Sequence, residues 1–153
     1  VRVTRANVEH TVRTAHQALR EQLGIASPRL VVCGLNPHAG DGGLLGREEL
    51  EVIGPAVEAL REQGIDAVGP VSAEHAFLPG NGGDLIVAMY HDQGLVPLKA
   101  LDFGRTVNWT LGLPIVRTSV DHGTAYDLVG TDAVRPDSMI EAIRWARRLT
   151  SRP

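Results

Sequence analysis

The chain has 153 residues, 43% of them apolar but only 4% aromatic, so it can bury a core made chiefly of Val, Leu, Ile and Ala. A formal net charge of −3 argues against nucleic acid or an anionic membrane as the main partner, because both need a basic face. No apolar run approaches the roughly 20 residues of a membrane span, no signal peptide opens the chain, and the single Cys33 allows no internal disulfide; a cytoplasmic location is expected.

Helical and strand patterns alternate along the sequence. Val8, Val12, Ala15, Leu19 and Leu23 recur at helical spacing, with Asn7 as the expected cap and Gly24 as the stop. Residues 29–33 read as a buried strand. A glycine-rich stretch over 40–46 leads to a second helical face of Leu50, Ile53, Val57 and Leu60, kinked at Gly54-Pro55 and ended by Gly64. A strand over 65–71, one helical turn from Ser72 to Phe77, a loop over 79–83 and a strand over 85–89 follow. Strand-like stretches over 106–111 and 114–120 are joined by Gly112, and Asp137 or Ser138 is expected to cap a last helix with Met139, Ile143 and Ala146 on its apolar side. This alternation predicts an α/β protein with a mixed, mainly parallel sheet.

Two segments carry the chemistry. Gly34-Leu-Asn-Pro-His-Ala-Gly40 and Ala88-Met-Tyr-His-Asp-Gln-Gly94 each place a histidine, His38 and His91, in a glycine-flanked turn directly after a buried strand. Loops beyond strand ends are where open α/β sheets bind ligands, so two imidazoles there point to a metal or catalytic centre. Asp92 stands ready to orient an imidazole or move a proton. The turn residues alone also suit a plain strand-to-helix connection. His10 and His16, among Arg, Glu and Gln, read as a solvated helix face.

Lysine usage adds a second signal. Of the 15 Lys plus Arg residues only Lys99 is lysine, and a position that keeps it against that background has use for a compact ammonium with a movable pKa. A chance surface lysine is the plain alternative. Arg105, Arg117 and the amide of Asn108 surround it in sequence with groups that match an oxyanion such as phosphate or carboxylate.

The series Gly34-Leu-Asn-Pro-His-Ala-Gly40, Met89-Tyr-His-Asp-Gln-Gly94, Lys99, Phe103-Gly104-Arg105, Val107-Asn108, Leu111-Gly-Leu-Pro114 and Arg117-Thr-Ser-Val-Asp-His-Gly-Thr124 resembles, in order, the 4-hydroxythreonine-4-phosphate dehydrogenase family of vitamin B6 biosynthesis. The resemblance runs over about residues 29–149. It implies a three-layer α/β/α fold like isocitrate and isopropylmalate dehydrogenases and a cytoplasmic homodimer. The implied reaction is oxidation of a phosphorylated hydroxy acid with NAD and a divalent metal (Zn, Mg, Co, Mn or Ni), followed by decarboxylation. It further implies that His38 and His91 ligate the metal and that Lys99, Asn108 and Arg117 contact the substrate. Asp121-His-Gly-Thr-Ala-Tyr-Asp-Leu-Val-Gly130 is similar to the loop that holds adenosine in the wider decarboxylating dehydrogenases, making His122, Gly123, Thr124 and Ala125 the expected NAD contacts.

Family members are about twice this length, and their first half supplies a third histidine ligand. The expectation is therefore a C-terminal portion, with about 1–120 as a middle domain and about 121–153 as a segment returning to the first. Such a portion is expected to be inactive alone. Other readings stay open: a relative acting on threonate or erythronate 4-phosphate or a cis-diol, a non-redox phosphate or acyl transferase of the same fold superfamily, or a non-catalytic fragment.

Overall fold

The computed structural model describes residues 3–81, 83–102 and 104–151. Gly82 of the expected 79–83 loop and Phe103 of the Phe103-Gly104-Arg105 motif lie outside the described residues. By packing, the chain divides into two units, 1–97 and 98–153. Among the described residues no helix is long and apolar enough to cross a membrane.

The first unit opens with helix α1 (Arg5–Leu23), whose buried stripe is Val8, Val12, Ala15, Ala18 and Leu19. Its cap is Thr4 and not Asn7: the Thr4 hydroxyl accepts from the Asn7 amide, so the helix begins earlier than the apolar spacing implied. Gly24, at φ 70°, closes the helix in the left-handed conformation. Strands β1 (Arg29–Cys33), β2 (Asp66–Val71) and β3 (Leu85–Val87) form a parallel sheet in the order β2-β1-β3. Leu30 lies beside Ala67 on one side and Leu85 on the other. Central position explains composition: Leu30, Val31, Val32 and Cys33 are all buried, as strands covered on both faces require. A π-helical turn (Glu49–Ile53) runs into helix α2 (Gly54–Glu62) at the expected Gly54 break, and Ile53, Val57 and Leu60 are fully buried. Leu50, assigned to the same face, is instead about half exposed, because the wider π turn rotates it off the stripe. Helix α3 (Ala73–Ala76) is the expected single turn after Ser72.

Helix α4 (His91–Leu101) begins at His91, so that histidine opens a helix instead of sitting in a free turn. In the second unit, β4 (Val107–Thr110) and β5 (Arg117–Val120) pair antiparallel and are separate from the parallel sheet. The expected single mixed sheet is therefore two sheets. Helix α5 (Asp137–Thr150) follows Pro136 and packs on one face of this pair. Trp109 meets Trp145 edge-to-face with ring centroids 6.1 Å apart, and the Thr118 hydroxyl donates to the Ala142 carbonyl at 2.9 Å.

Candidate functional site

Because β1 and β3 are parallel neighbours, both chains leave the sheet at the same edge, and each then delivers its histidine. His38 Nδ1 lies 3.2 Å from Glu74 Oε1, and His91 Nδ1 lies 2.8 Å from Asp92 Oδ1. In the tautomer that donates from Nδ1 to Asp92, His91 presents the Nε2 lone pair, while Glu74 stands beside His38 as a charge neighbour. A carboxylate hydrogen-bonded to the far ring nitrogen, as Asp92 is to His91, is how metal-binding histidines are commonly oriented. Both rings are largely exposed. Their chemistry thus fits two ligands of a divalent metal, while the described residues gather no group of three or more His, Cys, Asp or Glu around one point. His10 is exposed and His16 half-buried on α1, where burial lowers the His16 pKa.

The backbone that carries His38 is unusual. Residues 38–42 all have φ between 45° and 81°, including the non-glycine residues His38, Ala39 and Asp41. Left-handed backbone costs an L-residue roughly 1–2 kcal/mol, so the surroundings must hold this turn in place. Glu49 supplies that hold. Its buried carboxylate accepts from the amides of Leu35 (2.7 Å) and Asn36 (2.8 Å) and from Asn36 Nδ2 (2.9 Å). Burial pushes the Glu49 carboxyl up, but the Asn36 side-chain and backbone hydrogen bonds outweigh it and hold the pKa below the usual carboxylate value. A Cβ on Gly40 would fall 2.6 Å from Glu49 Oε2, so the turn can close on the carboxylate only with glycine there. Gln93, also buried, donates to Gly34 O at 2.8 Å and accepts from the Met89 amide at 2.7 Å.

In the second unit, the register pairs Asn108 with Ser119 and Thr110 with Arg117. Side chains alternate along strands, so Asn108 and Arg117 share the face opposite the tryptophan pair, as diagonal neighbours on the order of 7–8 Å apart. Both are exposed, and Arg117 Nη1 donates to Thr110 Oγ1 at 2.9 Å. That face presents an amide and a guanidinium, a fitting pair for an oxyanion. Lys99, half-buried, reaches the Asp121 carbonyl at a long 3.5 Å, at the start of the 121–125 loop.

The same loop forms the wall of a cavity of about 330 Å³ lined by His122, Thr124, Ala125, Leu128, Val134 and Ser138 among others. Three of the four expected dinucleotide contacts meet there. Gly123 stands between them, its carbonyl accepting from His122 Nδ1 at 2.9 Å. Ala125 has a left-handed φ of 47°, a strained conformation that recurs at ligand sites. The volume lies in the range of roughly 300–1,000 Å³ typical of small-molecule sites, and aliphatic walls with a few polar groups suit a heteroaromatic base and its ribose.

Sequence reading missed Glu49, Gln93 and Glu74. Glu49 adjoins the apolar positions of a helical pattern and carries no local mark of burial, and nothing in the sequence brings Glu74 to His38. The motif around His91 contained Gln93, but its partner Gly34 is 59 residues away.

Comparison with known proteins gives one family and a consistent set of relatives. The family model described as "Pyridoxal phosphate biosynthetic protein PdxA" matches residues 1–146. A 4-hydroxythreonine-4-phosphate dehydrogenase of Thioalkalivibrio sulfidiphilus is 54% identical over 146 residues, covering 94% of this chain and 44% of the relative. Its counterpart in Caulobacter vibrioides is 56% identical over 138 residues, covering 89% and 41%. Among solved structures, a 4-hydroxythreonine-4-phosphate dehydrogenase from Klebsiella pneumoniae matches with TM-score 0.85 and 42% identity, covering 96% of this chain and 45% of that one. A terephthalate 1,2-cis-dihydrodioldehydrogenase from Burkholderia xenovorans LB400 matches with TM-score 0.75 and 36% identity, covering 95% and 47%. The chain thus spans under half the length of the curated relatives it matches.

Proposed function

The chain belongs to the PdxA family of pyridoxal phosphate biosynthetic proteins, and on that premise we propose that it is the C-terminal portion of an NAD- and metal-dependent oxidoreductase acting on 4-phosphohydroxy-L-threonine. Its fold is part of the isocitrate/isopropylmalate-dehydrogenase-like α/β fold of its structural neighbours. The observation that supports the functional reading is the delivery of His38 and His91 from the same end of the parallel sheet, each with a carboxylate beside it; the second unit, taken by itself, offers an anion-matching face and a cavity. The relative named for a cis-dihydrodiol is the more distant of the matches above in both identity and TM-score, so the phosphorylated amino acid is preferred.

In this proposal His38 and His91 would be two metal ligands, with Glu74 and Asp92 as the carboxylates beside their rings. Arg117 and Asn108 bind substrate oxyanions with a guanidinium fork and an amide. Lys99 places an ammonium where negative charge develops, stabilising it or passing a proton. Asp92, 2.8 Å from His91 Nδ1, would accept the ring proton there and orient the imidazole. His122, Gly123, Thr124 and Ala125 position the adenosine half of NAD. Metal and NAD, when bound, supply Lewis acidity at the substrate hydroxyl and a hydride acceptor. The domain assignment, 1–120 as middle domain and 121–153 as a segment packing on an N-terminal half, and the homodimer are parts of the same proposal.

The test is complementation. This chain alone is expected to give no NADH from 4-phosphohydroxy-L-threonine at any divalent metal concentration. Joined to, or mixed with, the N-terminal half of a homologue, it should turn over, and His38→Ala or His91→Ala should then abolish metal-dependent rate. Turnover by the isolated chain, or a joined enzyme indifferent to both histidines, defeats the reading.

A further inference from the structure

We propose that Glu49 and Gln93 are positioning residues that fix the two histidines relative to each other, Glu49 by holding the left-handed turn of His38 and Gln93 by tying that turn's root to the start of the His91 helix. The inference rests on the reading of His38 and His91 as metal ligands.

Nothing in ordinary backbone preference favours six successive residues at positive φ, His38 to Gly43, three of them non-glycine. Such a conformation persists where the surroundings over-determine it. Glu49 closes three hydrogen bonds on Leu35 and Asn36, immediately before the turn, and its Oε2 sits under Gly40, inside it. One carboxylate thus ties down the entry to the turn and packs against its middle. Asn36 is gripped a second time, its Nδ2 donating to Glu48 Oε2 at 2.7 Å.

Gln93 connects the other histidine. Its amide spends both functions on backbone: Oε1 on Met89 N, two residues before His91, and Nε2 on Gly34 O, four residues before His38. One planar group of fixed geometry thus links the exits of β1 and β3. The rings themselves are exposed, and so are the carboxylates beside them. Surface ion pairs of that kind fix little, so the relative placement of the two imidazoles is set by the buried pair beneath them. Groups bonded directly to metal ligands support metal affinity by about 10–100-fold; Glu49 and Gln93, which act through the backbone, are expected at the lower end of that range.

The experiment uses the full chain and Co2+ alone, followed by paramagnetic broadening of histidine ring signals in NMR. In the unsubstituted chain the His38 and His91 signals should broaden together at one Co2+ concentration, with His10 as the internal control. Glu49→Gln, which leaves two backbone amides facing a group that donates as well as accepts, should raise that concentration about tenfold or more and uncouple His38 from His91. Gln93→Glu keeps the acceptor for Met89 but loses the donor to Gly34 O, and should uncouple the pair likewise. Should Glu49→Gln not fold, Asn36→Ala removes one of the three bonds to Glu49 together with the bond to Glu48, and is expected to give a weaker shift of about threefold. Independent broadening of the two rings in the unsubstituted chain would overturn the metal reading and this inference with it. Joint broadening there, unchanged in folded Gln93→Glu and in Glu49→Gln or Asn36→Ala, would overturn the inference alone.

Discussion

Residues 1–97 and 98–153 solve the problem of burial differently. In the first unit a three-stranded sheet is covered by α1 and α2, and it holds every buried apolar residue of the described chain except Ala142 and Leu149. In the second, a two-stranded sheet has a single helix on one face, and large apolar side chains stand in solvent: Ile115 is 68% exposed, Val129 74% and Ile143 62%. A two-stranded sheet is marginal by itself in water. Burial is concentrated in the first unit, whereas the second sets its candidate binding groups on a sheet with one covered face and more exposed apolar surface.

The largest expected effect on this contrast is in the first unit. Leu60→Ala empties a fully buried position and should cost about 2–5 kcal/mol in denaturant unfolding, whereas Ile143→Ser should stay within roughly 0.5 kcal/mol. Ile143→Ser should also reduce self-association of the chain, read by sedimentation, because it breaks the exposed stripe. Equal costs for the two substitutions would erase the distinction.

Next in size, in the complemented enzyme, Lys99→Arg should lower kcat by on the order of a hundredfold while leaving the melting temperature of the protein unchanged, since it keeps charge but alters shape and acidity. A near-normal kcat would return Lys99 to the role of a surface lysine. Arg117→Ala should act chiefly on KM, raising it about tenfold, the loss of one charge-assisted hydrogen-bond pair.

The smallest effect concerns pH and belongs to the first unit. The folded-state pKa of Glu49 is below its ordinary value, so its contribution to stability is complete above the ordinary carboxylate pKa and is lost as pH falls through the lowered one. Thermal unfolding between about pH 6 and 3 should therefore fall less steeply for Glu49→Gln than for the parent chain. Parallel curves would show that the carboxylate is not held ionised.

Local patterns in the sequence were enough to find the apolar runs of β1 and β3, the stripe of α1 with its Gly24 stop, the break at Gly54 and both histidine segments. These depend on neighbours within a few residues. The failures share a different cause. Leu50 lies off the buried face because a π turn alters the helical phase. Two separate sheets replace one because strand partnership is decided by tertiary packing. Glu49 and Gln93 hide among polar residues until folding brings backbone donors and acceptors from distant segments to them. Asn108 and Arg117 were named individually, yet their common face emerges only from the register of β4 on β5.

The lone cysteine offers a different use of the central strand. Cys33 has no exposed surface, and burial pushes its thiol pKa up to about 11. A thiol so placed has almost no thiolate and no access at neutral pH, so a thiol-specific reagent can reach it only when the sheet opens. With no second cysteine to compete, the rate of its modification is a clock for the opening of the first unit, readable by mass alone and built into the unaltered chain.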